Sequence, residues 1–91
     1  MILAVLSALA EPTRLAAMRI LHDGGEHCVC ELMRRLDATQ SRMSRHMQVL
    51  RQAGLVVDRR DAQWVRYRIR ADLPPHLKAL LAAALVEEVM A

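Results

Sequence analysis

The stretch CVCELMRRLDATQSRMSRHMQVLRQAG, residues 28–54, decides the fold. Its first part predicts a short helix over Val29–Leu36, with Cys28 at the N-cap and Glu31 at N3. That is a capping-box arrangement with sulfur in place of a hydroxyl. Residues 37–39 read as a turn, and Thr39 is placed to cap a second helix over Gln40–Gln52. In that helix Met43, Met47 and Leu50 fall at i, i+4 and i+7 and face inward. Gln40, Ser41, Arg42, Ser44, Arg45 and Gln48 are left facing outward, and Gly54 stops the helix. Two helices joined by a three- to four-residue turn, the second polar at its exposed start, form the arrangement that reads DNA.

Working outward, Ile2, Leu3, Val5, Leu6 and Leu9 have helical spacing, which predicts a helix over residues 2–10. Pro12 suits the first position of another helix running to about His22, and Gly24-Gly25 ends it. On the other side, residues 55–58 and 64–70 read as two strands of a hairpin joined by a polar loop over 59–63. Val65, Tyr67 and Ile69 alternate there with Trp64, Arg66, Arg68 and Arg70, and Trp64 is expected to anchor the hairpin. Pro74-Pro75 opens a last helix, expected over 76–89. Residues 80–86 are apolar all the way round, so one face is expected to pack on a second subunit. The expected architecture is mainly α with a small β-hairpin. It is a single winged helix-turn-helix domain over residues 1–91, with the terminal helices 2–10 and 76–89 as the interface of a homodimer.

Composition narrows the function. At 91 residues there is room for one domain, whose core is small enough to gain from a partner chain. Hydrophobic residues make up 54% and charged residues 25%, which rules out a disordered chain. Aromatic residues are 2%, with no Phe, so stacking of bases on a row of aromatic side chains is excluded. The apolar run 1–6 is too short to span a bilayer and lacks the basic flank of a secretion signal. Two Cys make no disulfide framework, and the expectation is a cytoplasmic protein with reduced thiols. Charge is unevenly spread. Residues 34–70 carry ten Arg against Asp37, Asp58 and Asp61, while both flanks are mildly acidic. Arginine suits bidentate contact with phosphate or guanine.

On this reading Gln40, Ser41, Ser44 and Arg45 contact bases. Arg42, Arg59, Arg60 and Arg66 go to phosphate or the minor groove of double-stranded DNA. Arg34 and Arg35 either touch phosphate or are solvated. His46, beside the apolar face of the reading helix, is expected to be structural or to contact phosphate. No nucleophile–base constellation, paired carboxylates or glycine-rich phosphate loop occurs, so no enzymatic activity is expected.

The segments ALAEPTRLAAMRIL (8–21), CVCEL (28–32), QSRMSRHMQVLRQAGLV (40–56) and WVRYRI (64–69) resemble the ArsR/SmtB family of winged-helix repressors. The CVCEL stretch resembles that of its arsenic-responsive branch. The resemblance implies a homodimeric repressor on a palindromic operator, released when As(III) or Sb(III) binds the thiolates of Cys28 and Cys30. The branch's third thiol lies three positions after the second, where this chain has Met33. The third ligand is therefore open among water or hydroxide, a small cellular thiol, His27 or none. The family's zinc sites pair Asp, His and Glu across its last helices. His76, Glu87 and Glu88 lack that spacing, so no zinc is expected.

Other readings of the thiols remain. They could answer another soft metal, such as mercury or cadmium, or an oxidant, or be small buried hydrophobes. The basic face could instead serve a helical protein-interaction module. Residues at i and i+2 of a regular helix point to different sides. Capture of one ion by both sulfurs is therefore expected to unwind or tilt the start of the third helix, where distortion is cheapest.

Overall fold

The computed structural model of the chain describes residues 1–86. The first helix, α1 (Ile2–Leu9), buries Val5, Ala8 and Leu9 and leaves Ile2, Leu3 and Leu6 exposed. α2 (Pro12–Leu21) starts where expected. Pro12 occupies its first turn, and Glu11 at the N-cap accepts the backbone N–H of Arg14 at 2.8 Å. Ala17, Met18 and Leu21 form its buried face.

A two-residue strand, β1 (His27–Cys28), precedes α3 (Val29–Leu36). The sequence reading had no strand here, because a two-residue element carries no periodicity to detect. α3 matches its predicted bounds, with Cys28 as N-cap. Asp37, in the left-handed region at φ 52°, ends it, and the N–H of Ala38 returns to the Met33 carbonyl at 3.1 Å. α4 (Gln40–Gln52) likewise matches, with Thr39 Oγ1 accepting from the N–H of Arg42 at 3.3 Å. Its inward stripe is as predicted: Met43, Met47 and Leu50 are fully buried.

β2 (Val56–Asp61) and β3 (Trp64–Ile69) pair antiparallel from Val56↔Ile69 to Asp61↔Trp64. The hairpin is thus longer and its turn tighter than expected. Residues 59–61 belong to the strand, and only Ala62 and Gln63 form the turn. Ala62 takes the left-handed conformation, φ 57°, a place where hairpin turns favour glycine. The sheet order is β1-β3-β2, with His27↔Tyr67 and Cys28↔Arg66 completing three strands. The last helix, α5 (Pro75–Ala84), ends earlier than the predicted 76–89. Leu85 caps it, its N–H bonded to the Leu81 carbonyl at 2.9 Å, and its side chain returns to the core. Residues 87–89 of that expectation lie outside the described residues.

α3, α4 and the hairpin share one core with α1, α2 and α5 (Val5, Met18, Leu21, Leu32, Met43, Met47, Leu50 and Leu55 at its centre). Trp64, at the turn end of the wing, packs against this core and so anchors the hairpin as expected. Five helices and a small three-stranded antiparallel sheet in this order make a winged helix-turn-helix: α3 and α4 are the helix pair and β2–β3 the wing.

Gly54, at φ 83°, turns the chain from α4 into the wing, and its position would place a Cβ 3.6 Å from the Arg70 guanidinium, an ordinary contact. Space is available, so the cost of a side chain there is backbone strain alone. Gly54→Ala is expected to lower stability by about 1–2 kcal/mol in urea unfolding without changing the circular dichroism spectrum.

Candidate nucleic-acid interface and thiol site

Gln40, Ser41, Arg42 and Arg45 stand exposed on the first turns of α4, and Ser44 is half-buried between them and the core. None of these five residues is engaged by an acidic side chain among the described residues. The wing arginines differ. Arg59 donates to both carboxylate oxygens of Glu26, at 2.6 and 3.0 Å, and Arg66 donates to Asp61 at 2.8 Å. These bonds hold the Glu26 and Asp61 carboxyls below the usual carboxylate range. Arg60 is exposed on the wing without such a partner among the described residues. At the end of α3, Arg35 donates to Glu31 at 3.0 Å, while Arg34 is exposed. The structure thus gathers the α4 residues on one face and ties down two of the three wing arginines chosen from the sequence.

His46 is held by its neighbours. The Arg14 guanidinium donates to its Nδ1 at 3.1 Å and, through Nε, to the Ala8 carbonyl at 2.7 Å. Because arginine only donates, His46 Nδ1 accepts and the ring proton sits on Nε2. Glu11 Oε1 lies 3.9 Å from the same ring nitrogen. Glu11, Arg14 and His46 therefore link the end of α1 and the start of α2 to α4. Arg14 and His46 are 32 positions apart in sequence, and no local pattern announces their contact.

The two cysteines come together at the start of α3. Cys28 sits in extended backbone at the N-cap, φ −68° and ψ 143°, and its Sγ accepts the N–H of Cys30 at 3.2 Å. The Cα atoms are 5.1 Å apart and the two sulfurs meet as a disulfide, where the sequence led to an expectation of reduced thiols. This corrects the expectation that both sulfurs can reach one point only if the helix is disturbed. The i, i+2 argument holds inside a helix, but Cys28 is still on the strand. Its side chain folds over the first turn, and α3 remains regular from Val29. Met33 is half-buried against the core.

Glu31 departs from the predicted capping box. Its carboxylate takes His27 Nδ1 at 2.9 Å and the Arg35 guanidinium, rather than the N-cap amide. His27 Nε2 faces Asp23 at 2.9 Å, so both ring nitrogens donate to carboxylates, as an imidazolium does. Burial opposes the charge on His27, but the bonds to Glu31 and Asp23 outweigh it and raise its pKa above the ordinary 6.5. The bond from His27, then that from Arg35, holds Glu31 below its usual value. Spacings of four on either side of His27 are readable in the sequence. The sequence reading missed the cluster because His27 was weighed only as a thiol-site ligand. Among the described residues no group of three or more His, Cys, Asp or Glu side chains is placed to hold a metal ion. Glu87 and Glu88 lie outside them.

Residues 11–57 match the family described as bacterial regulatory protein, arsR family. The chain belongs to the ArsR family. This ArsR-family chain is 44% identical over 80 residues to the arsenical resistance operon repressor of Escherichia coli K12, covering 88% of this chain. It is 42% identical over 77 residues to the arsenic resistance transcriptional regulator ArsR1 of Pseudomonas putida, covering 85% of this chain. It spans 64% and 60% of the lengths of those two relatives. Among solved structures it is similar to HlyU from Vibrio cholerae, with TM-score 0.77 and 36% identity over 89% of this chain and 84% of that one. A homodimeric winged helix-turn-helix domain from Mycobacterium bovis, solved by NMR, gives TM-score 0.78 at 28% identity, covering 93% of this chain and 75% of that one.

The His27 cluster sets a pH dependence. A raised histidine pKa adds stability that is complete below the unfolded value and is lost as pH rises through the folded one. The lowered carboxylates add theirs above their unfolded values. The cluster is therefore worth most between the carboxylate range, near 4.5, and 6.5. Thermal unfolding is expected to show stability falling from pH 6.5 upward, and His27→Gln is expected to flatten that slope.

Proposed function

We propose that this chain is a transcriptional repressor, not an enzyme. It binds palindromic operator DNA as a homodimer and releases it when trivalent arsenic or antimony is taken by Cys28 and Cys30. The observation that carries the reading is the convergence of the two sulfurs where β1 passes into α3. The names of the two relatives, an arsenical resistance operon repressor and an arsenic resistance regulator, support the inducer class.

In this reading Gln40, Ser41, Ser44 and Arg45 meet base edges from the N-terminal turns of α4. Arg42 and Arg60 meet phosphate. Arg59 and Arg66 reach DNA by exchanging Glu26 and Asp61 for phosphate, so those acids tune the wing rather than abolish its part. Two copies join through α1 and α5. Ile2, Leu3 and Leu6 are 45%, 71% and 45% exposed, and Val86 is 61% exposed, an apolar surface suited to a second copy. A dimer then presents two α4 helices to half-sites about 34–36 Å apart.

Once reduced, the Cys28–Cys30 pair gives two soft thiolates, which would suit a soft metalloid. Nothing in Met33 replaces a third thiolate, so the remaining position falls to solvent or a small cellular thiol. The protein's response starts at Cys28. Its backbone pairs with Arg66 of the wing, and its Sγ caps α3, which packs on α4. In this reading the disulfide is first reduced by a cellular thiol, and a ligand held between the two sulfurs then spreads them apart and draws Cys28 Sγ from the Cys30 N–H. The change passes both to the wing and, through α3, to the reading helix, without unwinding α3. A shift from mostly bound to mostly free needs about 5 kcal/mol of preference for the released state.

A second reading is favoured by the same sulfur contact. Peroxide takes two electrons from the thiol pair, forming the Cys28–Cys30 disulfide and two waters, and oxidation rather than a metalloid triggers release. Mobility-shift titration on the operator separates them: release by arsenite and not by peroxide supports the metalloid, and the reverse supports oxidation. Cys28→Ser and Cys30→Ser are each expected to keep operator affinity and lose release. Weakened binding with an intact fold would make the thiols structural. Arg45→Ala is expected to cost roughly 1–3 kcal/mol on the operator with little change on random DNA. An unchanged preference removes Arg45 from base reading.

A further inference from the structure

A groove of about 370 Å³ lies between α2, α3 and the end of α5, lined by Ala16, Arg19, Ile20, Arg35, Leu36 and Leu85. Four of these side chains are apolar and two are guanidinium groups. Arg19 is the unusual member. Its Nε is withdrawn from solvent and has no hydrogen-bond partner among the described residues. An unmatched donor on a permanently charged group is costly to keep, because water is removed and nothing replaces it. Among the described residues Arg35 is bonded at one nitrogen, to Glu31, and remains half-exposed. The groove's lining therefore combines two guanidinium groups, with donors unmatched among the described residues, and the apolar side chains of Ile20, Leu36 and Leu85.

We infer that this groove binds a small organic anion, a carboxylate with an apolar body, with the carboxylate taken by Arg19 and Arg35. The planar edge of a guanidinium donates two parallel N–H bonds to a carboxylate, and a bidentate pair of that kind is stronger and more directional than a single neutral bond. A bare inorganic anion would leave the apolar wall wet, and a neutral amphiphile would leave the guanidinium unmatched. Both parts of the ligand are needed. The site also touches the thiol site through one carboxylate: Arg35 pairs with Glu31, which holds His27, the residue before Cys28. A ligand that draws Arg35 into the groove weakens that chain of contacts. The inference stands apart from the operator and arsenic readings, because its test needs neither.

The test is isothermal titration of the full chain with octanoate, sulfate and 1-octanol, backed by thermal unfolding. Octanoate is expected to bind saturably at one site per chain and to raise the unfolding temperature, while sulfate and 1-octanol do neither. Arg19→Met is expected to weaken octanoate at least tenfold. The ligand-free variant should fold and unfold at no lower temperature, because it loses an unmatched buried donor. Arg35→Gln, at an exposed position, serves as the second variant and is expected to weaken octanoate severalfold. Equal octanoate affinity in wild type and Arg19→Met overturns the proposal. So does binding of sulfate as tight as that of octanoate, which would mark a bare anion site. Absence of any saturable octanoate binding also overturns it, and would mean that the chain's own residues or a second copy cover the groove.

Discussion

Cys28 belongs to two elements at once, and the rest of the molecule is arranged around that fact. Its backbone pairs with Arg66 on β3, and its sulfur caps the first turn of α3. One residue thus pins the helix that supports α4 to the strand that forms the wing. Unpaired backbone groups in so short a segment would be costly, and strand pairing and capping satisfy them together. His27, one position earlier, tightens the same joint by binding Glu31 inside α3 and Asp23 ahead of it. The α3–α4 pair and the wing therefore meet at the place where the two cysteines sit. A chemical change at those cysteines has a short path to both.

The electrostatics of the surface follow a related logic. Arginine dominates the middle of the chain, yet the structure does not leave all of it free. Glu26 and Asp61 hold Arg59 and Arg66, Glu31 holds Arg35, and Asp72 holds Arg70. Exposed pairs of this kind contribute little stability in water. Their effect is to fix where long side chains point. The polar residues of α4 carry no such restraint. Under the proposed function, sequence-dependent contact would fall to the helix, and the wing would add charge drawn from its acidic partners.

Much of this was readable in the order of residues. The bounds of α3 and α4 follow from caps and inward spacing, which are local properties: a Thr or Cys side chain satisfies a backbone N–H two or three residues away, and Met43, Met47 and Leu50 return to one face every turn. The hairpin was legible as a hairpin but not in its length. Residues 59–61 look like a polar loop in isolation, and pairing with 64–66 makes them a strand even though they bury little. The early end of α5 was equally hidden, since Leu85 continues an apolar pattern that chain direction, not hydrophobicity, interrupts.

By itself, then, the chain order determined the helix-turn-helix, the cationic middle and the presence of a neighbouring thiol pair, because each rests on interactions within a few positions. Tertiary structure decided which of those features act together. It put Cys28 on a strand so that its sulfur meets that of Cys30 over an undisturbed helix. It set Arg14 against His46 across 32 positions, and it left Arg19 without a partner among the described residues in a groove built from three helices. Such contacts depend on how whole elements pack, and the geometry of packing is not written in the spacing along any one of them.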